Sequence, residues 1–357
     1  MKSRSEACLA SLREFFSGES RVLEWGIAPA RPSPRSELLR AWIADNHHAG
    51  MEYMAARLSE RMDPQAFHPW AESAIVFAFP YGHPLGSTAD TYKVAAYARS
   101  EDYHQVARAI LRAAEAHLKS QPSLGEVRFY GFADTAPVFE RDLASEAGLG
   151  WRGKNCCTLN RRHGSAFHLA GFFLDLALPA SMPLEDFCGG CTRCLDQCPT
   201  EAFTAPGKLD ANKCISYWTI EDKGPIPEAL ADRFGGWIFG CDVCQEVCPW
   251  NRKHIRAAES GNPEGGPGDG YPASGGAWAE LLRKGGGFQS RFKRSPLTRA
   301  GRRSLLRNLA VAARNLKDTS VADHLRLALA EETDPAVRTE IERTLAALGK
   351  ASAAGAG

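Results

Sequence analysis

Cys188-Gly-Gly-Cys191-Thr-Arg-Cys194-Leu-Asp-Gln-Cys198-Pro199 is the stretch on which the reading of this chain turns. It follows C-x2-C-x2-C-x3-C-P without a gap, the rhythm that lets three thiolates wrap one [4Fe–4S] cube while the fourth reaches a second cube. A partner run, Cys241-Asp-Val-Cys244-Gln-Glu-Val-Cys248-Pro249, carries three cysteines, and Cys214 upstream supplies the missing one. Exchange of ligands between the runs assigns Cys188, Cys191, Cys194 and Cys248 to one cluster, and Cys198, Cys214, Cys241 and Cys244 to the other. C-x2-C pairs also hold structural zinc, but zinc sites seldom repeat the x2-x2-x3-Pro rhythm. Two adjacent cubes read as an electron wire rather than as a structural staple.

The rest of the composition fits that reading. Eight of the 11 cysteines fall between residues 188 and 248. An odd total crowded in this way argues for metal ligation in a reducing cytoplasm, not for disulfides. Cys8, Cys156 and Cys157 stand outside the pattern and read as small buried hydrophobes. A length of 357 residues accommodates two or three domains, and 44% hydrophobic with 24% charged residues excludes wholesale disorder. The net charge of +1 means that a nucleic-acid role would need charge segregated into a patch. No run of eighteen apolar residues is present, and the opening MKSRSEACLASLREFF lacks both an apolar signal core and a twin arginine. A cytoplasmic monomer is expected.

Outward from the cysteines, the chain predicts a mixed α+β protein. Residues 1–70 read as helices, with Leu38, Leu39, Trp42 and Ile43 at helical spacing and a second helix from Met51 to Leu58. Ala74–Phe79 is a continuous apolar run, the mark of a buried strand. Val106–Leu118 is helical, and Val127–Phe132 and Phe167–Leu178 are further strand candidates. Residues 1–180 therefore predict an N-terminal α/β or α+β domain, of which the α/β form is the expectation, and 181–256 the cysteine-rich module. A linker follows over 257–287: between Gly261 and Gly276, ten of sixteen residues are Gly or Pro. Residues 288–349 predict paired helices that resemble HEAT repeats. Asp334-Pro335 opens the last of them, and Val337, Ile341, Leu345 and Leu348 form its apolar stripe. Residues 350–357 predict a flexible tail.

Electron wiring needs a destination. Neither G-x-G-x-x-G after a strand nor a phosphate-binding loop appears, which leaves nicotinamide and ATPase folds unsupported. Asp45-x-His47-x-x-Gly50 matches the signature of proteins that bind cobalamin through an axial histidine, but a helical pattern precedes it where a strand belongs, and it reads as a coincidence. Asp134 is a better lead. It lies in Gly131-Phe-Ala-Asp134-Thr-Ala-Pro-Val-Phe-Glu140-Arg, between a strand and a helix. A carboxyl partly buried among Phe132, Phe139 and Trp151 would have a raised pKa and serve as general acid; alternatively Asp134 or Thr135 caps the helix.

Several long motifs in order make a resemblance specific. Asp134-Thr-Ala-Pro-Val, Gly148-Leu-Gly-Trp151-Arg-Gly-Lys154-Asn155, Cys214-Ile-Ser-Tyr-Trp-Thr-Ile-Glu221 and Gly240-Cys-Asp-Val-Cys-Gln-Glu-Val-Cys-Pro-Trp250-Asn resemble the epoxyqueuosine reductase family over nearly the whole chain. The resemblance implies an N-terminal domain with a flavin-reductase-like fold that binds cobalamin without a protein histidine on cobalt, and a tRNA substrate with a GUN anticodon carrying epoxyqueuosine. It implies Asp134 as proton donor, and Arg57, Tyr97, Asn155, Ser216, Asp242 and Val243 at or bordering the corrin. A flavodoxin or ferredoxin would be the electron donor. One departure stands out: Phe167-His-Leu-Ala-Gly-Phe lacks the Leu-Gly-Glu that the resemblance leads one to expect.

An RNA substrate predicts a basic surface. From Leu281 to Lys317 there are eleven Lys or Arg and no Asp or Glu. Arg291, Lys293, Arg294, Arg299, Arg302, Arg303 and Arg307 are the expected phosphate contacts, with Lys223 near the site mouth. The rival readings are a corrinoid reductive dehalogenase and a non-catalytic ferredoxin-like electron carrier.

Overall fold

A computed structural model describes residues 3–86, 91–259, 271–272 and 274–354. Four strands, Glu24–Pro29, Ser73–Pro80, Phe167–Leu174 and Phe129–Phe132, lie in that order in one sheet. Every pairing in it is antiparallel. The N-terminal region is therefore an α+β arrangement, not the α/β domain that the alternation of elements suggests.

The central strand shows why its sequence does not alternate. Ile75, Phe77 and Phe79 face a layer containing Cys8, Leu12 and Phe16 of helix Arg4–Gly18, with Ile110 and Ala114 of helix Tyr103–Lys119. Ala74, Val76 and Ala78 face the other way, onto Leu143 and Ala144 of helix Glu140–Glu146. A strand covered on both faces reads as a continuous apolar run. Full burial of each such aromatic or aliphatic side chain is worth about 1.5–3 kcal/mol.

The strand Glu24–Pro29 corrects the helical reading of residues 1–70. It is short, sits at the sheet edge, and ends in proline, so neither length nor β-branched content signals it. Gly26 within it is dictated by packing, because a Cβ there would lie 2.0 Å from the Ala147 carbonyl oxygen. The expected Met51–Leu58 helix is two short ones, Glu52–Ala56 and Leu58–Met62, broken at Arg57.

Behind the sheet, the cysteine-rich module is built from single turns of helix and three-residue strands. Strand Trp237–Phe239 pairs in parallel with Lys93–Val94, tying the module to the N-terminal region. Beyond it, helix Gly301–Leu316 is buried along most of its length and packs against helices Gly275–Leu282 and Pro335–Ala354, both of which also contact helix Ala322–Glu331. Asp334 accepts the Ala336 and Val337 N–H groups at 3.0 and 3.2 Å, capping the last helix. These helices share one core with Tyr92, Val94, Ile238 and Phe239.

Two expected boundaries shift. Residues 260–270 and 273, the bulk of the Gly/Pro-rich stretch, lie outside the described residues, but helices Arg252–Glu259 and Gly275–Leu282 occupy both ends of the expected linker, and Trp278 and Leu282 are buried. Helix Pro335–Ala354 also runs on into the segment read as a tail. No helix among the described residues is long and apolar enough to cross a membrane.

Arg307, expected on a basic surface, is fully buried. Its guanidinium donates to the carbonyls of Trp218 and Gly224 and to Asn308 Oδ1, and lies 3.5 Å from Asp222. A charge removed from water must be paired in this way, and stripping one partner from such a network costs about 3–5 kcal/mol. Arg307→Ala should lose that amount in denaturant unfolding of the cluster-loaded protein. The exposed Arg303→Ala should lose about 1 kcal/mol or less. Equal losses would refute the buried role of Arg307.

Candidate active site and cluster-binding loops

The loop after Phe187 turns back through a Cys191 N–H to Cys188 carbonyl bond of 3.2 Å, then winds into the short helix Arg193–Asp196. Cys248 enters this neighbourhood from the second run: burial raises the thiol pKa of Cys194 and Cys248, and the nearby Cys188 and Cys191 sulfurs add to it. A second group forms deeper, where Cys214, Cys241 and Cys244 lie close to one another and to the Cys198 sulfur. The two differ in exposure. Gly189 and Gly190 of the outer group are exposed and have open space around them. Gly240, beside the inner group, has φ +67 and packs against Ala95 and Tyr97, on the side of Asp134.

Several residues expected to border a corrin also shape the inner loop. Asn155 is buried; its Nδ2 donates to the Cys244 carbonyl at 3.1 Å and its Oδ1 accepts the Cys157 N–H at 3.2 Å. Asp242 accepts the Ala96 N–H at 2.6 Å and Gln245 Nε2 at 3.0 Å, and burial pushes its carboxyl up to about 7 against those bonds. Ser216 follows Cys214 on helix Ile215–Ile220, and Val243 follows Cys241 at the start of helix Val243–Glu246, each two residues beyond its cysteine. Arg57 pairs with Glu60 and sits 4.8 Å over the Phe67 ring, lining a cavity of about 280 Å³ with His104 and Thr135.

Asp134 stands at the centre of a different constellation from the expected one. Its φ is +60, a left-handed conformation that aspartate tolerates better than most residues. Tyr103 donates its hydroxyl to Oδ2 at 3.0 Å, and His104 Nε2 lies 3.3 Å from the same oxygen. Asp134 does not cap helix Glu140–Glu146, whose flanking residue is Phe139. Nor does it carry the raised pKa expected for a general acid. Enclosure by its neighbours works to raise it, but the side chain is 61% exposed to solvent, and the adjacent His104 together with the Tyr103 hydrogen bond leaves the carboxyl below its ordinary value. The raised carboxyl is Glu140, pushed up to about 8 by burial and by the Asp134 charge; its Oε1 accepts the Asp134 N–H at 2.6 Å.

His104 carries the complementary shift. The nearby Asp134 carboxylate raises its pKa above 6.5, burial opposes this, and Asp102, 2.7 Å from Nδ1, raises it further. Both carboxylates thus favour the imidazolium form of His104. The signal for it is local: Asp102 caps helix Tyr103–Lys119, which places Tyr103 and His104 on the first turn at a strand end. The aromatic wall continues inward. Tyr103 stacks on His168 at 4.3 Å and 11°, His168 adjoins Tyr81 at 4.6 Å, and Tyr97 lies 6.3 Å from Tyr81. Burial pulls His168 down to about 3, so it is neutral, and its Nε2 has no protein partner.

The expected basic contacts divide. Lys223 spends its three donors on the carbonyls of Ile220, Arg299 and Ala300 at 2.7–3.0 Å, a strut between the Cys214 helix and the C-terminal helices. Arg302 donates to the Leu282 carbonyl and to Glu332, and Arg303 also reaches Glu332, so both are neutralised at a helix junction. All three thus have partners within the protein, with Arg303 still exposed. Arg291, Lys293 and Arg294 are exposed. Arg294 pairs with Glu101, and its carbonyl accepts the Asp102 N–H at 2.8 Å, which brings this basic turn to the edge of the Asp134 site. Arg299 stands 5.8 Å over the half-exposed Tyr53 ring and pairs with Glu221.

Comparison with known proteins agrees with this geometry. Residues 187–251 match the 4Fe-4S double cluster binding domain, and residues 61–135 match the family described as Epoxyqueuosine reductase QueG, DUF1730. The epoxyqueuosine reductase of Cyclobacterium marinum is 40% identical over 276 residues, covering 76% of this chain and 86% of that protein. The chain belongs to the epoxyqueuosine reductase family. The Alicycliphilus denitrificans epoxyqueuosine reductase aligns over 92% of this chain and 95% of its own length at 36% identity. A crystal structure of epoxyqueuosine reductase with an epoxyqueuosine-modified tRNA-Tyr stem loop superposes with a TM-score of 0.78 at 25% identity, covering 97% of this chain and all of that one. Family membership on this scale supports neither the dehalogenase nor the bare electron carrier.

The imidazolium makes a pH prediction. Asn caps helices as well as Asp, so Asp102→Asn keeps the helix start but removes one of the two charges that hold the His104 proton. Its folded pKa then falls, and the alkaline limb of kcat against pH should move to lower pH. An unmoved limb would remove His104 from the proton path.

Proposed function

We propose that this chain reduces epoxyqueuosine to queuosine at the wobble position of tRNA with a GUN anticodon, with cobalamin and two [4Fe–4S] clusters as cofactors. The observation that carries the reading is one continuous lining between the proton-bearing site and the inner thiols. Asp134 adjoins Glu140, Glu140 adjoins Arg141, and Arg141 reaches Cys156 and Cys157, the latter against Cys244. On the other side Tyr103, His168, Tyr81 and Tyr97 span the same interval.

The donor chemistry of this region fits a corrin. Among its buried polar atoms without protein partners are His168 Nε2, Thr158 Oγ1, and Nε and Nη1 of Arg152. Polar atoms left unpaired in a protein cost about 1–3 kcal/mol each, and an amide-rimmed macrocycle offers them partners. Tyr97, Asn155, Ser216, Asp242 and Val243 would border it on the cluster side, and Arg57 on the Asp134 side. When bound and reduced, cobalamin supplies two electrons and a strongly nucleophilic cobalt, the chemistry that opening an epoxide to an alkene demands.

The chain's own residues handle the proton. Opening the epoxide leaves negative charge developing on its oxygen, which departs as water after taking up two protons, the first through Asp134 and the second from solvent. Asp134, poised at the mouth with Oδ2 against His104 and Tyr103, relays the imidazolium proton to it. Such a transfer is typically worth 10²–10⁴-fold in rate. Glu140, neutral near pH 7, holds the Asp134 backbone from below. Electrons would reach the outer quartet at the exposed Gly189–Gly190 turn, from a flavodoxin or ferredoxin, and pass inward to the quartet beside Tyr97. Arg294, beside Glu101 and Asp102, and Arg299, over Tyr53, would meet phosphates of the anticodon loop, together with the exposed Arg291 and Lys293.

The test is mass spectrometry of nucleosides from epoxyqueuosine-bearing tRNA incubated anaerobically with reconstituted protein, cobalamin and a strong reductant. Cobalamin-dependent loss of one oxygen from the modified base is expected. Its failure with protein shown to hold both clusters and cobalamin would overturn the reading. Asp134→Asn should bind cobalamin and RNA yet turn over 10²–10⁴-fold more slowly. Full activity would end its role as donor.

A further inference from the structure

Trp151 reaches the outer thiols from the N-terminal region. It lies in a two-residue strand, paired with Leu159, and is 3% exposed. Its indole Nε1 stands 3.4 Å from Cys188 Sγ, within hydrogen-bond range for a sulfur acceptor. The ring is clamped edge-on by Phe187 at 5.2 Å and 70° and by Trp250 at 5.1 Å and 75°. Those two side chains adjoin cysteines of the outer group: Phe187 precedes Cys188, and Trp250 follows Cys248-Pro249. Three residues on, Lys154 Nζ donates to the carbonyls of Gly189 and Cys191 at 2.7 and 2.9 Å, fixing the same loop. The sulfur therefore meets a donor whose orientation leaves little freedom.

Tryptophan offers one N–H and no acceptor, so here the bond runs only from indole to sulfur. Hydrogen bonds to cluster sulfurs help set the reduction potential. Reduction adds negative charge that spreads onto the sulfurs, and a fixed N–H dipole stabilises the reduced cluster more than the oxidised one.

We propose that Trp151 is a positioning residue that raises the reduction potential of the outer [4Fe–4S] cluster through its indole N–H on Cys188, easing acceptance of electrons from the donor protein. The proposal rests on the two-cluster reading above. It assigns to the two-residue strand Trp151–Arg152 a part in electron transfer.

The experiment is an anaerobic redox titration of the two-cluster holoprotein followed by electron paramagnetic resonance, comparing the native chain with Trp151→Phe. Phenylalanine keeps an aromatic ring between Phe187 and Trp250 but removes the N–H. The outer midpoint should fall by about tenfold in the reduction equilibrium, ~59 mV for a one-electron couple, with the inner midpoint and the iron content unchanged. Phe187→Leu, which loosens the clamp but keeps the N–H, should shift the outer midpoint less. An unchanged outer midpoint in Trp151→Phe with both clusters intact, or equal shifts in both clusters, would overturn the proposal. If Trp151→Phe fails to assemble the outer cluster, ¹⁵N-indole-labelled native protein decides: nuclear coupling to the reduced outer cluster supports the bond, and its absence refutes it. Native protein that assembles no cluster would overturn the two-cluster reading together with this one.

Discussion

Asn251 is fully buried and makes the knot on which the site depends. Its Oδ1 accepts the Ser165 N–H at 2.8 Å, while its Nδ2 donates to Ser165 Oγ at 2.9 Å and to the Gln245 carbonyl at 2.8 Å; Ser165 Oγ in turn donates to Gln245 Oε1 at 2.9 Å. Gly164 lets the backbones close on it, since a Cβ there would lie 2.0 Å from Asn251 Oδ1. The cysteine-rich module shares its small apolar core of Ile215, Ile226, Ala231, Phe234 and Trp237 with Ala95 and Val311 from outside it. It holds its loops in place by polar bonds to the sheet on one side and by Arg307 and Asn308 on the other. Such bonds are individually modest but expensive to leave half-made.

The cysteine spacing was legible because cluster ligation is a local code: three thiols on one turn and a fourth a fixed step away. The buried strand at residues 74–79 was legible for a similar reason, since burial on two faces writes itself as an unbroken apolar run. The edge strand Glu24–Pro29 was not, because its identity comes from its partner Ser73–Pro80 and from the close approach of Ala147, neither of which lies nearby in the sequence.

Charge was the least legible quantity. The eleven cations between residues 281 and 317 look alike as letters, but their surroundings divide them into a buried anchor at Arg307, junction pairs at Arg302 and Arg303, and exposed side chains at Arg291, Lys293 and Arg294. Asp134 and Glu140 exchange their expected electrostatic characters for the same reason. Tyr103 and His104, about thirty residues earlier, stabilise the Asp134 anion, while Glu140 meets that anion in a half-buried position. Asp134 could be singled out from its place between a strand and a helix; its protonation state depends on a helix start elsewhere in the chain.

The parallel pairing of Lys93–Val94 with Trp237–Phe239 joins segments about 140 residues apart, and helix Gly301–Leu316 packs onto the same strand. During synthesis, the sheet can close once Phe167–Leu174 has emerged, but this edge stays open until the second cysteine run is made. Pairings of such long range are slow to form, because loop-closure entropy is lost before the contacts repay it. The Lys93–Val94 segment, with Tyr97 just beyond it against Phe239, therefore cannot reach its final arrangement ahead of the cysteine-rich module, and this wall of the site matures with that module as one event in time.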